Sequence, residues 1–285
     1  MPFSIFAASS SPIASSHYVE KVMNLPAAFR AIASLILAVA AMPVAPALES
    51  GSRPATSNSA PADIVVGFVG GFVNRDNPHH GVVQIAQRIG EILPPGTYIR
   101  VFENRHRKQA YSTIVHLLDT DHDGILSPQE KSRAHIVLFG QSWGAAAAVL
   151  LARDLQRKGV PVLLTVQVDS VAKLWQNDSI IPGNVDEAIN FYQPHGLVHG
   201  RRRIVAADPN RTEILGNYLV DYRQHPVHCS SASWFDRLVT PSHMQSECDP
   251  RLWSQIETMV QWRLTPQDTS AKTFSDLPPI LDSLR

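Results

Sequence analysis

The order of apolar runs, and the change in their period along the chain, sets out the elements before any single residue is considered. Asp63-Ile-Val-Val-Gly-Phe-Val69 is a compact apolar run that predicts a strand buried on both faces. Val82, Ile85, Ile89 and Ile92 then recur at helical spacing, and Pro94-Pro95-Gly96 closes that helix. Tyr98 to Phe102 reads as the next strand, and Tyr111, Ile114, Val115 and Leu118 share one face of a helix over Arg107 to Leu118. Ala134 to Phe139 predicts a strand, Ala145 to Arg157 an Ala/Leu-rich helix stopped by Gly159 and Pro161, and Val162 to Val168 another buried strand. Residues 171–200 show no sustained period and are too long for a plain connection, so they are expected to form a lid or pocket wall. Arg201 to Ala207 and Ile214 to Tyr222 read as the remaining strands. Asp249 and Pro250 then open a last helix with Leu252, Ile256, Met259 and Val260 on one face.

The two ends carry no such pattern. Residues 1–22 are Ser/Ala-rich. From Met23 onward, one cation at Arg30, an apolar run over Ala31 to Ala41 and the small-residue site Ala45-Pro46-Ala47 predict a secretory signal peptide cleaved after Ala47. The run is short for a membrane span, so no stable span is expected after cleavage; an uncleaved N-terminal membrane anchor is the alternative. Residues 48–62 are expected to be a flexible linker and 265–285 a frayed tail, leaving 63–264 as the folded part. That length suits one large α/β domain. An apolar fraction of 44% supplies a core, and equal numbers of acidic and basic residues point away from nucleic acid as a partner. The two cysteines, Cys229 and Cys248, fit a disulfide in an oxidising compartment, with two unrelated thiols as the alternative. The protein is therefore expected to be exported, to the periplasm or beyond the cell.

One stretch carries chemistry in its geometry. Gly140-Gln-Ser142-Trp-Gly144 joins a buried strand to a helix, and a turn that sharp leaves no room for side chains at its two glycines. Such a turn lifts the Ser142 hydroxyl above the end of the sheet, beside the Trp143 N–H at the helix start. The pattern makes Ser142 a candidate nucleophile; a structural serine turn is the bland alternative. Gly70-Gly71-Phe72, at the end of the first strand, is where a second oxyanion donor is expected, from the N–H of Gly71 or Phe72, unless it is a plain tight turn. His79 and His80 read as residues at a helix start or cleft rim rather than zinc ligands.

An acid and a base are sought downstream. Asp169 follows the strand after Ser142, where catalytic groups collect in open α/β sheets, and is preferred over Asp208, whose following proline suggests a turn. His243, just before the last helix, completes the order Ser, Asp, His and is preferred over His225 and His228.

A second motif lies between the helix ending at Leu118 and the strand starting at Ala134. Asp119, Asp121, Asp123, Gly124, Leu126 and Glu130 fall on the diagnostic spacing of an EF-hand calcium loop, with the Ile125 carbonyl and Ser127 as further ligands. Three carboxylates within five residues repel one another unless a cation is present. A lone loop with Pro128 in it suits a structural calcium clip better than a paired switch; a solvated acidic turn is the alternative.

From Asp63 to Leu264 the succession of elements, the Ser142-Trp-Gly144 turn, Val168-Asp-Ser-Val171 and the late His243 resemble the α/β-hydrolase superfamily, and within it poorly characterised bacterial lipase- or esterase-like proteins. The resemblance implies a mostly parallel central sheet with helices on both faces. It further implies Ser142, Asp169 and His243 as nucleophile, orienting acid and base in the cleavage of carboxylic esters or acyl lipids through an acyl-enzyme. Small-molecule esters or lipids would then be the partners. Two positions depart from the pattern: Gln141 stands where histidine is common, and Val69-Gly-Gly-Phe72 lacks the usual His-Gly. The other class of reading is the same fold as a non-catalytic, calcium-stabilised binding protein.

Overall fold

In the computed structural model, the described residues are 62–229 and 240–265. The expected signal peptide, the expected linker up to residue 61 and the expected tail from 266 lie outside them. Six strands form one parallel sheet in the order β2-β1-β3-β4-β6-β8. They are β1 (Ala62–Val69), β2 (Tyr98–Glu103), β3 (Ala134–Gln141), β4 (Val162–Val168), β6 (Val185–Tyr192) and β8 (Glu213–Leu219). The short strands β5 (Ile180–Ile181) and β7 (Val205–Ala206) pair only with each other. The helices are α1 (Gly81–Ile92), α2 (Arg107–Leu118), α3 (Pro128–Ser132), α4 (Trp143–Gln156), α5 (Pro241–Cys248) and α6 (Pro250–Leu264).

The central strands are apolar on both faces because both faces are covered, as an all-parallel sheet requires. On one side α1 and α6 bring Val82, Ile85, Ile89, Leu252, Ile256 and Met259 against Val65, Val137 and Val166. On the other, α2 and α4 bring Ile114, Leu118, Val149, Leu151 and Leu155 against Ile64, Val66, Ile136 and Leu138. From β1 the chain moves outward to β2 and then returns to the far side of β1 as β3. Right-handed crossovers put the connecting helices α1 and α4 on opposite faces, and the strand order reverses between β1 and β3. That reversal opens a crevice at the carboxyl ends of these two strands. This is the mostly parallel sheet with helices on both faces that the resemblance to α/β hydrolases implied.

Two expectations for the C-terminal half are corrected. The stretch 171–200 is not irregular throughout, because it contains β6, which sits between β4 and β8 in the sheet; Val171 and Val198 near its two ends nevertheless wall the cleft beside Ser142. Asp186, Glu187 and Asn190 break its apolar pattern; the Asn190 side chain is nevertheless buried, donating to the Arg201 carbonyl at 2.8 Å and to Asn217 Oδ1 at 3.2 Å. Conversely, Arg201 to Ala207 yields only the two-residue β7, since Arg201, Arg202 and Arg203 are all exposed.

Candidate active site

Ser142 stands at the head of the crevice. Its backbone takes φ 57° and ψ −127°, outside the comfortable regions for a residue with a side chain. Backbone hydrogen bonds hold it there. The Ser142 N–H donates to the Val168 carbonyl at 3.0 Å, and the Ser142 carbonyl accepts from Ala145 at 3.1 Å and Val171 at 3.3 Å. The flanking glycines admit the turn: a Cβ on Gly140 would lie 2.5 Å from the Gly144 carbonyl carbon, and one on Gly144 would lie 2.1 Å from the Phe68 carbonyl oxygen.

Asp169, one residue beyond β4, and His243, on α5, meet the serine. His243 Nε2 is 2.9 Å from Ser142 Oγ, and His243 Nδ1 is 2.6 Å from Asp169 Oδ2. Next to a carboxylate the proton belongs on Nδ1, which leaves Nε2 to accept from the serine hydroxyl. All three residues are buried, so bulk water does not compete for these bonds. Asp169 also accepts from Gln193 Nε2 at 2.9 Å, from the Gly200 N–H at 2.6 Å and, more weakly, from the Gln193 N–H at 3.3 Å. A carboxylate with that many donors is held in one orientation. The geometry permits a proton to pass from Ser142 to His243 while Asp169 stabilises the resulting imidazolium.

The rival residues stand elsewhere. Asp208 caps a turn through the Asn210 N–H at 3.0 Å, as its proline neighbour suggested. His225 and His228 make no hydrogen bond to Ser142 or Asp169 among the described residues. His80 is the buried N-cap of α1: its Nδ1 accepts from Val82, and burial pushes its pKa down to about 3, so it is neutral. His79 is exposed.

Opposite Ser142, the end of β1 turns at Gly71 with φ 48°. Asn104 holds the turn by donating to the Val69 and Gly71 carbonyls at 3.3 and 2.6 Å, and Lys173 Nζ donates to Asn104 Oδ1 at 2.7 Å. Gly70 lies against the serine turn, where a Cβ would come within 2.9 Å of Ser142 Cβ. Among the described residues, the N–H groups of Gly71, Phe72 and Trp143 carry no hydrogen bond to another protein group. They line, with Ser142 and His243, an open cleft of about 680 Å³. Its walls are largely apolar, from Phe72, Val73, Trp143, Val171, Val198 and Met244, with Gln141, Thr240 and Glu247 as polar exceptions. Phe72, 85% exposed, packs edge-on against Trp143 at the mouth.

Sequence reasoning misses three contributors. Gln193 and Gly200 support Asp169 from residues that read as a lid, and Asn104 fixes the glycine turn from an apparently plain helix start. Gln141 departs from the α/β-hydrolase pattern, and its amide nitrogen is 3.4 Å from His243 Nε2 and 3.5 Å from Ser246 Oγ. It borders the nitrogen that faces Ser142. Cys229 and Cys248 form a disulfide, and Cys248 ends the helix that carries His243.

The acidic loop lies away from this cleft. Ligand oxygens of Asp119, Asp121 and Asp123 gather within 4.8 Å of one another. Glu130 faces the loop's own backbone instead. Its Oε1 accepts from the Thr120 N–H at 2.6 Å and hydroxyl at 2.9 Å, and its Oε2 from the Ser127 N–H and hydroxyl, both at 2.9 Å. Those backbone bonds hold its pKa down to about 2. Ser127 caps α3 in return, and Ile125 exposes its side chain.

No protein-family model matches the chain, and no curated protein matches it either. Among solved structures it is similar to a thermostable esterase from Pseudomonas putida, at 10% identity over 74% of this chain and 77% of that one, with a TM-score of 0.39. A cutinase-like protein from Cryptococcus sp. overlaps 75% of this chain and 100% of its own at 13% identity and a TM-score of 0.39. A dienelactone hydrolase from Anabaena variabilis overlaps 72% and 86% at 13% identity and a TM-score of 0.33. Overlaps this loose say nothing of the chemistry at Ser142, which must be judged from its own surroundings. No helix among the described residues is long and apolar enough to cross a membrane.

Proposed function

We propose that this protein is an exported serine hydrolase that cleaves carboxylic esters or acyl lipids through an acyl-enzyme on Ser142. The observation that carries the reading is the unbroken chain Ser142 Oγ, His243, Asp169, with heavy-atom spacings of 2.9 and 2.6 Å, at the reversal point of a parallel sheet. His243 takes the hydroxyl proton as Ser142 Oγ bonds to the substrate carbonyl carbon. The carbonyl oxygen gains negative charge and rests on the unengaged N–H of Trp143 together with that of Gly71 or Phe72. His243 then returns the proton to the departing alkoxide, and the C–O bond breaks to leave the acyl-serine. Water, deprotonated by His243, attacks that ester and frees the acid. An apolar cleft rimmed by Phe72 and Trp143 suits an acyl or alkyl group better than a charged one.

Fluorophosphonate labelling of the purified chain tests this directly. Labelling is expected in the wild type and absent in both Ser142→Ala and His243→Ala, with p-nitrophenyl ester turnover lost in parallel. Unlabelled but folded wild type would instead favour a non-catalytic binding protein that keeps the turn for packing.

A further inference from the structure

We propose that the loop from Asp119 to Ser127 binds one calcium ion that staples the amino ends of the neighbouring strands β1 and β3, independently of whether Ser142 is a nucleophile. The ligands would be carboxylate oxygens of Asp119, Asp121 and Asp123 together with the Ile125 carbonyl. Calcium binds oxygen at 2.3–2.6 Å, so oxygens around one ion can be up to about 5.2 Å apart. The three carboxylates gather within that distance. Magnesium demands about 2.0–2.1 Å and near-octahedral order and gives up its waters reluctantly, whereas a loop of carboxylates and a carbonyl suits the looser shell of calcium.

The acidic cluster alone would mean little, since exposed carboxylates crowd in many turns. Asp119 is the observation that changes this. It is only 8% exposed; Oδ2 accepts from the Gly124 N–H, but Oδ1 is buried with no hydrogen-bond partner. Burying one face of a carboxylate with nothing to balance it is costly. Among the described residues, none of the three aspartates forms an ion pair with a protein cation. A divalent cation among the three supplies the missing partner for Asp119 and removes the mutual repulsion. Glu130 serves differently from the last residue of the usual motif: it ties Thr120 to Ser127, holding the two ends of the loop together.

The loop is anchored on both sides. Asp119 is the C-cap of α2, Leu126 is buried in the core beneath it, and α3 leads directly into β3. At the same corner the Ala62 N–H of β1 donates to the Arg133 carbonyl at 2.8 Å. An ion here fixes the starts of β1 and β3, whose far ends present Gly70 and Ser142. Its effect is on stability, with no part in the chemistry.

The test is calorimetric titration of the full chain, stripped by chelator, with calcium chloride, alongside thermal melting in calcium or magnesium chloride. One saturable site per chain is expected, with Kd between about 10⁻⁵ and 10⁻³ M. In hundredfold excess over Kd, calcium should raise Tm by about 5 °C or more. Asp119→Asn removes the buried group and risks misfolding, so the exposed pair Asp121→Asn/Asp123→Asn is the informative variant. It should melt no lower than calcium-free wild type, bind calcium at least a hundredfold more weakly and lose most of the Tm shift, while Asp76→Asn retains it. Absence of saturable binding to the wild type, an unchanged shift in the double variant, or an equal shift with magnesium would overturn the site. None of these readouts depends on esterase activity, so they stand apart from the outcome of serine labelling.

Discussion

Ser142 pays a conformational cost for its position. A non-glycine residue held at φ 57° and ψ −127° stores on the order of 1–3 kcal/mol, and the surrounding hydrogen bonds enforce it. Ser142→Gly is therefore expected to abolish ester turnover while raising stability by about 1 kcal/mol, read as an increase in denaturation midpoint at unchanged m-value. A fall in stability would mean that the hydroxyl contributes more to packing than the backbone strain costs. Asp169 gives the complementary case. Asp169→Asn leaves the donors from Gln193 and Gly200 facing an amide and favours the wrong tautomer of His243. A drop of about 10⁴ in kcat with little change in KM is expected. These three residues were legible because each sits where strand and helix patterns change, and the order serine, acid, histidine left few choices. Gln193 and Gly200 were not legible: their contribution is to support one carboxylate from a stretch that carries no motif of its own.

At the scale of elements, the close approach of β1, β3 and α4 explains why this corner tolerates so little. Gly144→Ala would drive a methyl group to 2.1 Å from the Phe68 carbonyl oxygen, a backbone atom with nowhere to go. We expect a loss of stability of about 3 kcal/mol or more, together with loss of labelling, whereas Ala148→Gly, in the same helix and also buried, should cost about 2 kcal/mol from helix propensity and the lost methyl and keep labelling. Chemical denaturation of both variants checks this. The helix α5 depends on a different device. A cross-link spanning 19 residues, from Cys229 to Cys248, is worth about 3 kcal/mol in chain entropy. The paired variant Cys229→Ser/Cys248→Ser should be less stable by that amount and turn over ester more slowly, since His243 shares the helix with Cys248. Element identities were read well where apolar runs were unbroken, as in β1, β3 and β4. They failed at β6, whose buried Asn190 and partly exposed Glu187 look like loop residues until Asn217 and Arg263 are seen to meet them. Only tertiary neighbours make that strand.

For the whole molecule, pH acts through a group that belongs to no motif. His80 is buried and neutral, with a pKa near 3 against 6.5 in an unfolded chain, and burial is the cause. Glu247 Oε2, 3.9 Å from its Nε2, is too distant for a hydrogen bond that would hold the proton. Between about pH 6.5 and 3 the unfolded chain binds a proton that the folded chain does not, so stability falls as pH falls across that window, by up to about 1.4 kcal/mol per unit. His80→Asn can still accept from Val82 and cap α1; it should flatten the dependence in that window and leave the melting temperature at pH 8 nearly unchanged. Parallel urea titrations from pH 4 to 8 would test it, and an unaltered slope would place the acid sensitivity elsewhere.

The sheet also sets an order in time. β1 can complete its pairing only when β3 has been made, and β6 and β8 add to the same sheet later still. Ser142 and Asp169 belong to its centre, but His243 arrives on α5, near the end of the chain, on a helix tethered by a bond that forms only under oxidising conditions. On the proposed reading, a chain kept under reducing conditions would hold Ser142 without a secured His243, and full turnover would require conditions in which the cysteines can join.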